Sequence, residues 1–170
     1  YGEENEFFDY DKVVIATHAD EALKIIDNPT LDEETILKKF KYRANTAVIH
    51  FDESIMPKNK KAWCAWNSSM DSNNNEKTAV TYWINQLQNL KIDRDIFLTI
   101  NPFKEIPNNK IFKKVAFTHP YYDTEALTYQ SNLHKIQNQK HILFCGSYFG
   151  YGFHEDGIKS SIDMLKTLND

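Results

Sequence analysis

Glycine is scarce and unevenly placed in this chain: five among 170 residues, with none between Gly2 and Gly146. A dinucleotide pyrophosphate is cradled by a Gly-x-Gly-x-x-Gly turn between a strand and a helix, where backbone must approach phosphate closely. The glycine-free stretch excludes that turn, and Gly150-x-Gly152 continues with Glu155 where the third glycine would stand. Cysteine is also rare, with only Cys64 and Cys145, and neither has a metal-type partner two to four residues away. Both read as reduced core thiols, and the expected location is cytoplasmic. No apolar run approaches the ~18 residues of a membrane-spanning helix, so no integral membrane segment is expected. Positive charge is in deficit, 20 Lys and Arg against 24 Asp and Glu, for a net charge of −4 and a pI near 5.9. That balance argues against nucleic acid as a partner, because phosphate neutralisation needs a local excess of Lys and Arg. The basic run at 58–61 follows Pro57 and reads as a solvated turn. The first residues, Tyr-Gly-Glu-Glu-Asn-Glu, have neither an initiator Met nor the basic-then-apolar order of a signal peptide. The chain is therefore expected to start inside a longer product.

The length suits one globular core, and 41% hydrophobic residues suffice to build it. A β-branched run at 13–16, too apolar to alternate, predicts a buried strand, followed by a helical pattern in Ala22, Leu23, Ile25 and Ile26. Asn28-Pro29 ends that helix, and Thr30 or Asp32 can cap a second one carrying Ile36, Leu37 and Phe40. Strand periodicity then holds at 44–51, 62–67, 78–84, 96–100 and 112–118, with polar loops at 68–77 and 101–110. Five successive strands predict a largely antiparallel sheet in an α+β fold. Residues 123–136 read as a helix capped by Asp123, with Ala126, Leu127, Leu133 and Ile136 on its apolar side. A strand at 141–145, a glycine-rich loop and an amphipathic helix end the chain; Ile158, Ile162 and Leu165 are the apolar face of that helix.

Four of the five glycines, Gly146, Gly150, Gly152 and Gly157, lie in this last segment. Two readings stand. The glycines supply a tight turn with positive φ, or strand, loop and helix start gather backbone N–H groups around an electron-rich ligand group. Glu155 and Asp156 in the first helical turn outweigh the partial charge of the helix end, so a neutral polar group suits this place better than a phosphate. Ser147 does not form a nucleophile elbow, because the Gly-x-Ser-x-Gly order is absent. His154 with Asp156 makes at most two metal ligands, and no metal site is expected. In the strands, Trp63 and Trp66 differ in parity, as do Tyr82 and Trp83. Large rings therefore lie on both faces, so either one face covers a core while the other lines a pocket, or both are covered.

Taken together, residues 11–18 (Asp-Lys-Val-Val-Ile-Ala-Thr-His), 62–67 (Ala-Trp-Cys-Ala-Trp-Asn), 81–88 (Thr-Tyr-Trp-Ile-Asn-Gln-Leu-Gln), 99–102 (Thr-Ile-Asn-Pro) and 144–157 (Phe-Cys-Gly-Ser-Tyr-Phe-Gly-Tyr-Gly-Phe-His-Glu-Asp-Gly) resemble one family. It is the bacterial, predicted NAD/FAD-binding, flavin-containing amine oxidoreductase family, similar also to the oxidase-like part of plant cyclopropane fatty acid synthases. The resemblance implies an α/β fold overall: residues 1–28 close an FAD-binding domain, 29–140 form the substrate domain, and 141–170 return to the FAD-binding domain. It implies FAD as cofactor, with Gly146, Ser147 and Tyr148 near the ribityl and pyrophosphate region. Gly152, Phe153, His154, Glu155, Asp156 and Gly157 would bring the helix start under the flavin ring, with Thr17 and His18 nearby. Trp63, Trp66, Asn67, Tyr82, Trp83 and Asn85 would contact a small-molecule substrate, amine or lipid-like. Related flavoenzymes often carry an acidic residue where Ser147 stands. The implied activity is hydride transfer from a substrate C–H to flavin, with no catalytic acid or base identified. The rival reading is a non-catalytic remnant or binding module without flavin. A chain lacking the glycine-rich part is expected to be inactive alone and to self-associate through uncovered strands.

Overall fold

The structure, a computed structural model, describes residues 7–72 and 74–168, and the backbone alone of residues 74–76. The initial hexapeptide therefore lies outside the described residues. The chain folds as a mixed α and β protein with a mostly antiparallel five-stranded sheet, as its strand periodicity predicts. It divides into two compact units, one made of the residues up to Arg43 with those from Pro120 onward, the other of Ala44–His119. These boundaries differ from the expected 28/29 and 140/141, because two helices read as substrate-domain elements pack into the core of the first unit. No helix among the described residues is long and apolar enough to cross a membrane.

The first unit is built on two short parallel strands, β1 (Val13–Ile15) and β7 (Ile142–Phe144), in register Val13 with Ile142 and Ile15 with Phe144. Helices α1 (Ala19–Ile25), α2 (Leu31–Leu37) and α4 (Thr124–Gln130) contribute Ala22, Ile36, Leu37 and Ala126 to one core with Ile15, Phe40, Phe144 and Tyr148. Thr30, not Asp32, caps α2: its Oγ1 accepts from Glu33 N–H at 3.2 Å, and Glu33 accepts from Thr30 N–H at 2.6 Å. Asp123 caps α4 as expected, accepting from Ala126 N–H at 2.8 Å. The predicted helix at 123–136 is broken after Gln130, and Leu133–Ile136 form a 3-10 turn. Leu133 and Ile136 still reach the core, but the change of period leaves Leu127 exposed. Helix α5 (His154–Lys166) lies on the opposite face of the strand pair, where Met164 packs with Leu143 and Cys145.

Two expectations fail here for one physical reason. Val13 and Val14 are exposed, not buried, and Ile158, Ile162 and Leu165 of α5 are 57%, 53% and 53% exposed. Periodicity identifies an apolar face but does not supply the element that covers it; α5 buries Ser160 and Met164 instead.

The second unit holds most of the sheet, in the order β3 (Trp66–Asp71), β4 (Asn74–Trp83), β5 (Phe97–Ile100), β2 (Lys41–His50), β6 (Ile111–Tyr121). Residues 68–77, read as a polar loop, are mostly strand: β3 and β4 form a hairpin pairing Trp66 with Tyr82 and Met70 with Thr78. The inward positions of β3 are Asn67, Ser69 and Asp71, so the strand has no apolar inner face to betray it. The strand expected at 62–67 starts only at Trp66, after a 3-10 turn at Lys60–Ala62. Cys64 lies in the irregular stretch between them and is exposed; only Cys145 is a buried thiol.

Candidate functional site

In an open parallel sheet, ligands gather at the carboxyl ends of the strands. Both strands of the β1–β7 pair end at the same place, so Thr17 and His18 follow β1 where Gly146 and Ser147 follow β7. The closeness is tight enough that a Cβ on Gly146 would lie 3.4 Å from the Thr17 carbonyl oxygen. Residues far apart in sequence, 17–18 and 146–157, are thereby brought together.

The loop between β7 and α5 is held largely by itself. Asp156 accepts from Tyr151 and Phe153 N–H, each at 2.9 Å, which fixes the loop onto the first turn of α5. Its carboxylate is thus engaged by the chain. Ser160 Oγ accepts from Gly146 N–H at 2.9 Å and donates to the Gly157 carbonyl at 2.7 Å. The side-chain amide of Gln130 donates to the carbonyls of Tyr148 and Gly150. Tyr148 turns inward, with its ring 5.2 Å from that of Phe40, and its buried hydroxyl has no hydrogen-bond partner among the described residues. Burial pushes that phenol far above its ordinary value. Phe153, His154 and Glu155 are exposed. His18 stacks on Tyr42 at 4.3 Å, and Thr17 Oγ1 donates to the His18 carbonyl at 3.0 Å.

Two glycines separate the turn reading from the ligand reading. Gly152 has φ +92°, and a Cβ there would lie 3.1 Å from Tyr122 Oη, so the chain itself requires glycine. Gly157 was expected to need positive φ or a close ligand; it has ordinary helical backbone within α5. A Cβ added to it meets only Ser147 N, at 3.8 Å. Glycine inside a helix costs about 1 kcal/mol relative to alanine, and no contact within the chain explains it here. Its bare Cα borders the same space as Ser147 N–H, the first residue of the 3-10 turn Ser147–Phe149 and therefore not a donor within it. A main-chain donor beside an unfilled Cβ position fits the edge of a flat polar ring. Nothing in this loop resembles a pyrophosphate cradle.

The aromatic residues of the second unit sort onto two faces. Trp83 packs edge-on to Trp63 at 5.3 Å, and Trp63 to the fully buried Phe97 at 5.6 Å. The same face carries a buried polar chain: Asp52 N–H donates to His50 Nδ1 at 3.1 Å, so His50 Nε2 is the donor to Thr99 Oγ1 at 2.8 Å. Thr99 Oγ1 lies 2.9 Å from Thr81 Oγ1. Burial lowers the His50 pKa, with Asp52 opposing. Burial also acts to raise the Asp52 carboxyl, but hydrogen bonds from Lys110, at 2.8 Å, and Ser54 outweigh it and hold it below the usual range. Trp66 and Tyr82 lie together on the other face, alongside Met70, Val80, Leu98 and Ile100, and Trp66 is 61% exposed. One face is covered and the other is largely open.

The two asparagines implied as substrate contacts serve the backbone. Asn67 accepts from Cys64 N–H at 3.2 Å and donates to the Cys64 carbonyl at 2.7 Å, while Asn85 joins Ile96 N–H and the Arg94 carbonyl at 2.7 and 2.8 Å. Sequence reasoning missed Ser160, Gln130 and Tyr122, which shape the glycine loop. Nothing in their spacing marks them, since each acts through tertiary proximity.

No family model matches the chain, and no curated protein matches its sequence. Among solved structures, the fold is similar to that of a CLA-producing fatty acid isomerase from P. acnes, with a TM-score of 0.57 at 13% identity. The match covers 92% of this chain and 41% of that one, so the chain spans about two fifths of the length of its structural neighbour. At this identity the likeness is one of fold.

Proposed function

We propose that the chain is the returning flavin-binding part and the substrate-binding sheet of an FAD-dependent, amine-oxidase-like oxidoreductase that acts on a lipid-like substrate. Gly157 carries the reading: a helical glycine that no contact among the described residues requires, beside a Ser147 N–H with no hydrogen-bond partner among them. The family resemblance of residues 144–157 and the meeting of Thr17 with Gly146 support it. Bound there, FAD supplies an acceptor for a hydride leaving a substrate C–H. Ser147 N–H orients the polar edge of the ring, Gly157 lets it approach α5, and the buried Tyr148 and Phe144 hold the loop from behind and exclude water. Asp156 shapes the loop and carries no proton in the reaction. The open face of the second unit favours a hydrocarbon over an amine. Its Trp66, Met70, Val80, Tyr82, Leu98 and Ile100 offer no carboxylate to pair with an ammonium.

The test is the reading frame that contains this chain. It should encode an in-frame Gly-x-Gly-x-x-Gly ahead of Tyr1, and its purified product should show the visible absorbance of flavin. Gly157→Ala should lower the flavin-to-protein ratio while raising the melting temperature of the flavin-free chain. A colourless full-length product, or normal flavin content in both Gly157→Ala and Gly157→Val, would mean that the loop is only a turn and the protein a binding module.

A further inference from the structure

Strand β5 is shorter than both its neighbours, and the sheet is notched where it stops. Its last residue, Ile100, pairs with Val80 of β4 and Ala47 of β2. Past that register β4 extends through Thr78 and Lys77, and β2 through Thr46, without β5 between them. The chain leaving β5 turns away at Asn101, whose φ of +51° is one that asparagine tolerates better than most residues. Asn101 N–H donates to the Thr46 carbonyl at 2.8 Å, its side-chain oxygen accepts from Thr46 N–H at 2.9 Å, and its side-chain nitrogen donates to Asn45 Oδ1 at 2.7 Å. Further along the same loop Ile106 is buried. The loop is thus fastened at two points, and with β2, β4 and β6 it walls a cavity of about 760 Å³.

The walls carry two kinds of chemistry. Val48, Phe103, Ile106 and Ile111 make an apolar part, in which Val48 and Ile106 are buried. Lys77 from β4, Lys104 from the loop and Lys114 from β6 bring ammonium groups from three separate elements to the same cavity, against the single carboxylate of Glu105. None of these four side chains has an ion pair among the described residues, whereas Lys110, which does not line the cavity, is taken by Asp52 at 2.8 Å. Three lysines against one glutamate leave a local surplus of two positive charges in a chain whose net charge is −4. Amines gathered at one cavity repel one another, and an anion between them turns that repulsion into attraction.

We infer that this notch is a binding site for a phosphomonoester with an apolar body. Such a group carries about −1.5 to −2 charges at neutral pH, which balances the surplus, whereas one carboxylate leaves half of it uncompensated. Lysine binds phosphate as a point charge and needs no planar fork, so three flexible amines suit a tetrahedral group better than a flat one. The apolar part of the wall takes the carbon skeleton, and the volume is that of an ordinary small-molecule site. The site lies wholly within the second unit and rests on nothing in the flavin reading.

Phenyl phosphate, titrated into the 170-residue chain and followed through the NMR amide signals, tests it. Saturation with a Kd below about 1 mM is expected, with shifts gathered at Thr46, Thr78 and the loop from Asn101 to Asn108. Benzoate and phenol, which keep the ring, should bind at least about 10-fold more weakly, and so should inorganic phosphate, which lacks it. Lys104→Gln and Lys114→Gln should each weaken phenyl phosphate by about 5-fold or more, while Glu105→Gln should tighten it by about 2-fold or more. No saturation, shifts centred elsewhere, a Kd indifferent to all three substitutions, or benzoate binding as tightly as phenyl phosphate would each overturn the proposal. A free ester and a lipid headgroup share this chemistry, and phosphatidylcholine vesicles containing phosphatidic acid separate them. Co-sedimentation that is lost in Lys104→Gln makes the natural ester a headgroup; phenyl phosphate bound without co-sedimentation makes it a soluble molecule.

Discussion

The two units contain similar kinds of residue but close themselves to different degrees. In the second, four antiparallel strands bury Phe97, Val48, Thr99 and His50 on one face, and the polar atoms there satisfy one another in a chain from Asp52 to Thr81. In the first, two parallel strands of three residues each bury one face well, while Val14, Ile158, Ile162 and Leu165 are left outside. The difference follows from connectivity. Antiparallel strands find partners through short turns within the same segment, whereas a parallel sheet depends on strands from distant segments. The unit that holds the candidate cofactor loop is thus the less complete of the two.

Substitutions can break this contrast from its strongest point downward. Phe97→Ala empties the centre of the second unit and should cost about 3–5 kcal/mol, seen as a large drop in melting temperature. A loss below about 1 kcal/mol would show that the sheet is not the more closed region. In the glycine loop the two variants should move oppositely. Gly152→Val should lose at least the ~1–2 kcal/mol of a left-handed residue, with Tyr122 crowding added, whereas Gly157→Ala should gain up to about 1 kcal/mol. Equal losses from both would remove the distinction between a structural and a ligand-facing glycine.

In the second unit acid should act through two groups. His50 is held below its ordinary value of 6.5 and Asp52 below its ordinary 3.8. For both groups the unfolded chain binds the proton more readily, so stability is full above the unfolded values and falls as pH drops, first below about 6.5 and then below about 3.8. His50→Gln keeps a donor toward Thr99 and should flatten the first of these steps in urea melts at stepped pH. An unchanged profile would mean that His50 does not couple to folding. The smallest effect is expected from Trp66→Ala. The ring is mostly exposed, so stability should change by less than about 1 kcal/mol, while binding of a hydrocarbon probe such as a fluorescent acyl chain should weaken. A cooperative loss of several kcal/mol would show the face to be covered in solution.

Much of the local structure was legible in the sequence, because it depends on neighbours a few residues away. Thr30 with Glu33, and Asp123 with Ala126, mark helix starts through capping hydrogen bonds that span three residues. Four of the five strands followed from β-branched and aromatic runs, whereas β3 was displaced and the hairpin at 68–77 escaped because its inward Asn67, Ser69 and Asp71 are polar. Parity assigned Tyr82 and Trp83 to opposite faces but did not apply to Trp63, which lies outside the strand, and the missing pyrophosphate turn could be read from glycine count alone. Tertiary structure decided the rest. Whether Ile158, Ile162 and Leu165 are buried depends on what stands beside α5, and periodicity says nothing of that. That Asn67 and Asn85 brace loops, and that Gly157 has room while Gly152 does not, are facts of atoms brought together from distant positions. A repeat in sequence can assign a residue to a face; only the packed chain determines whether that face has a partner.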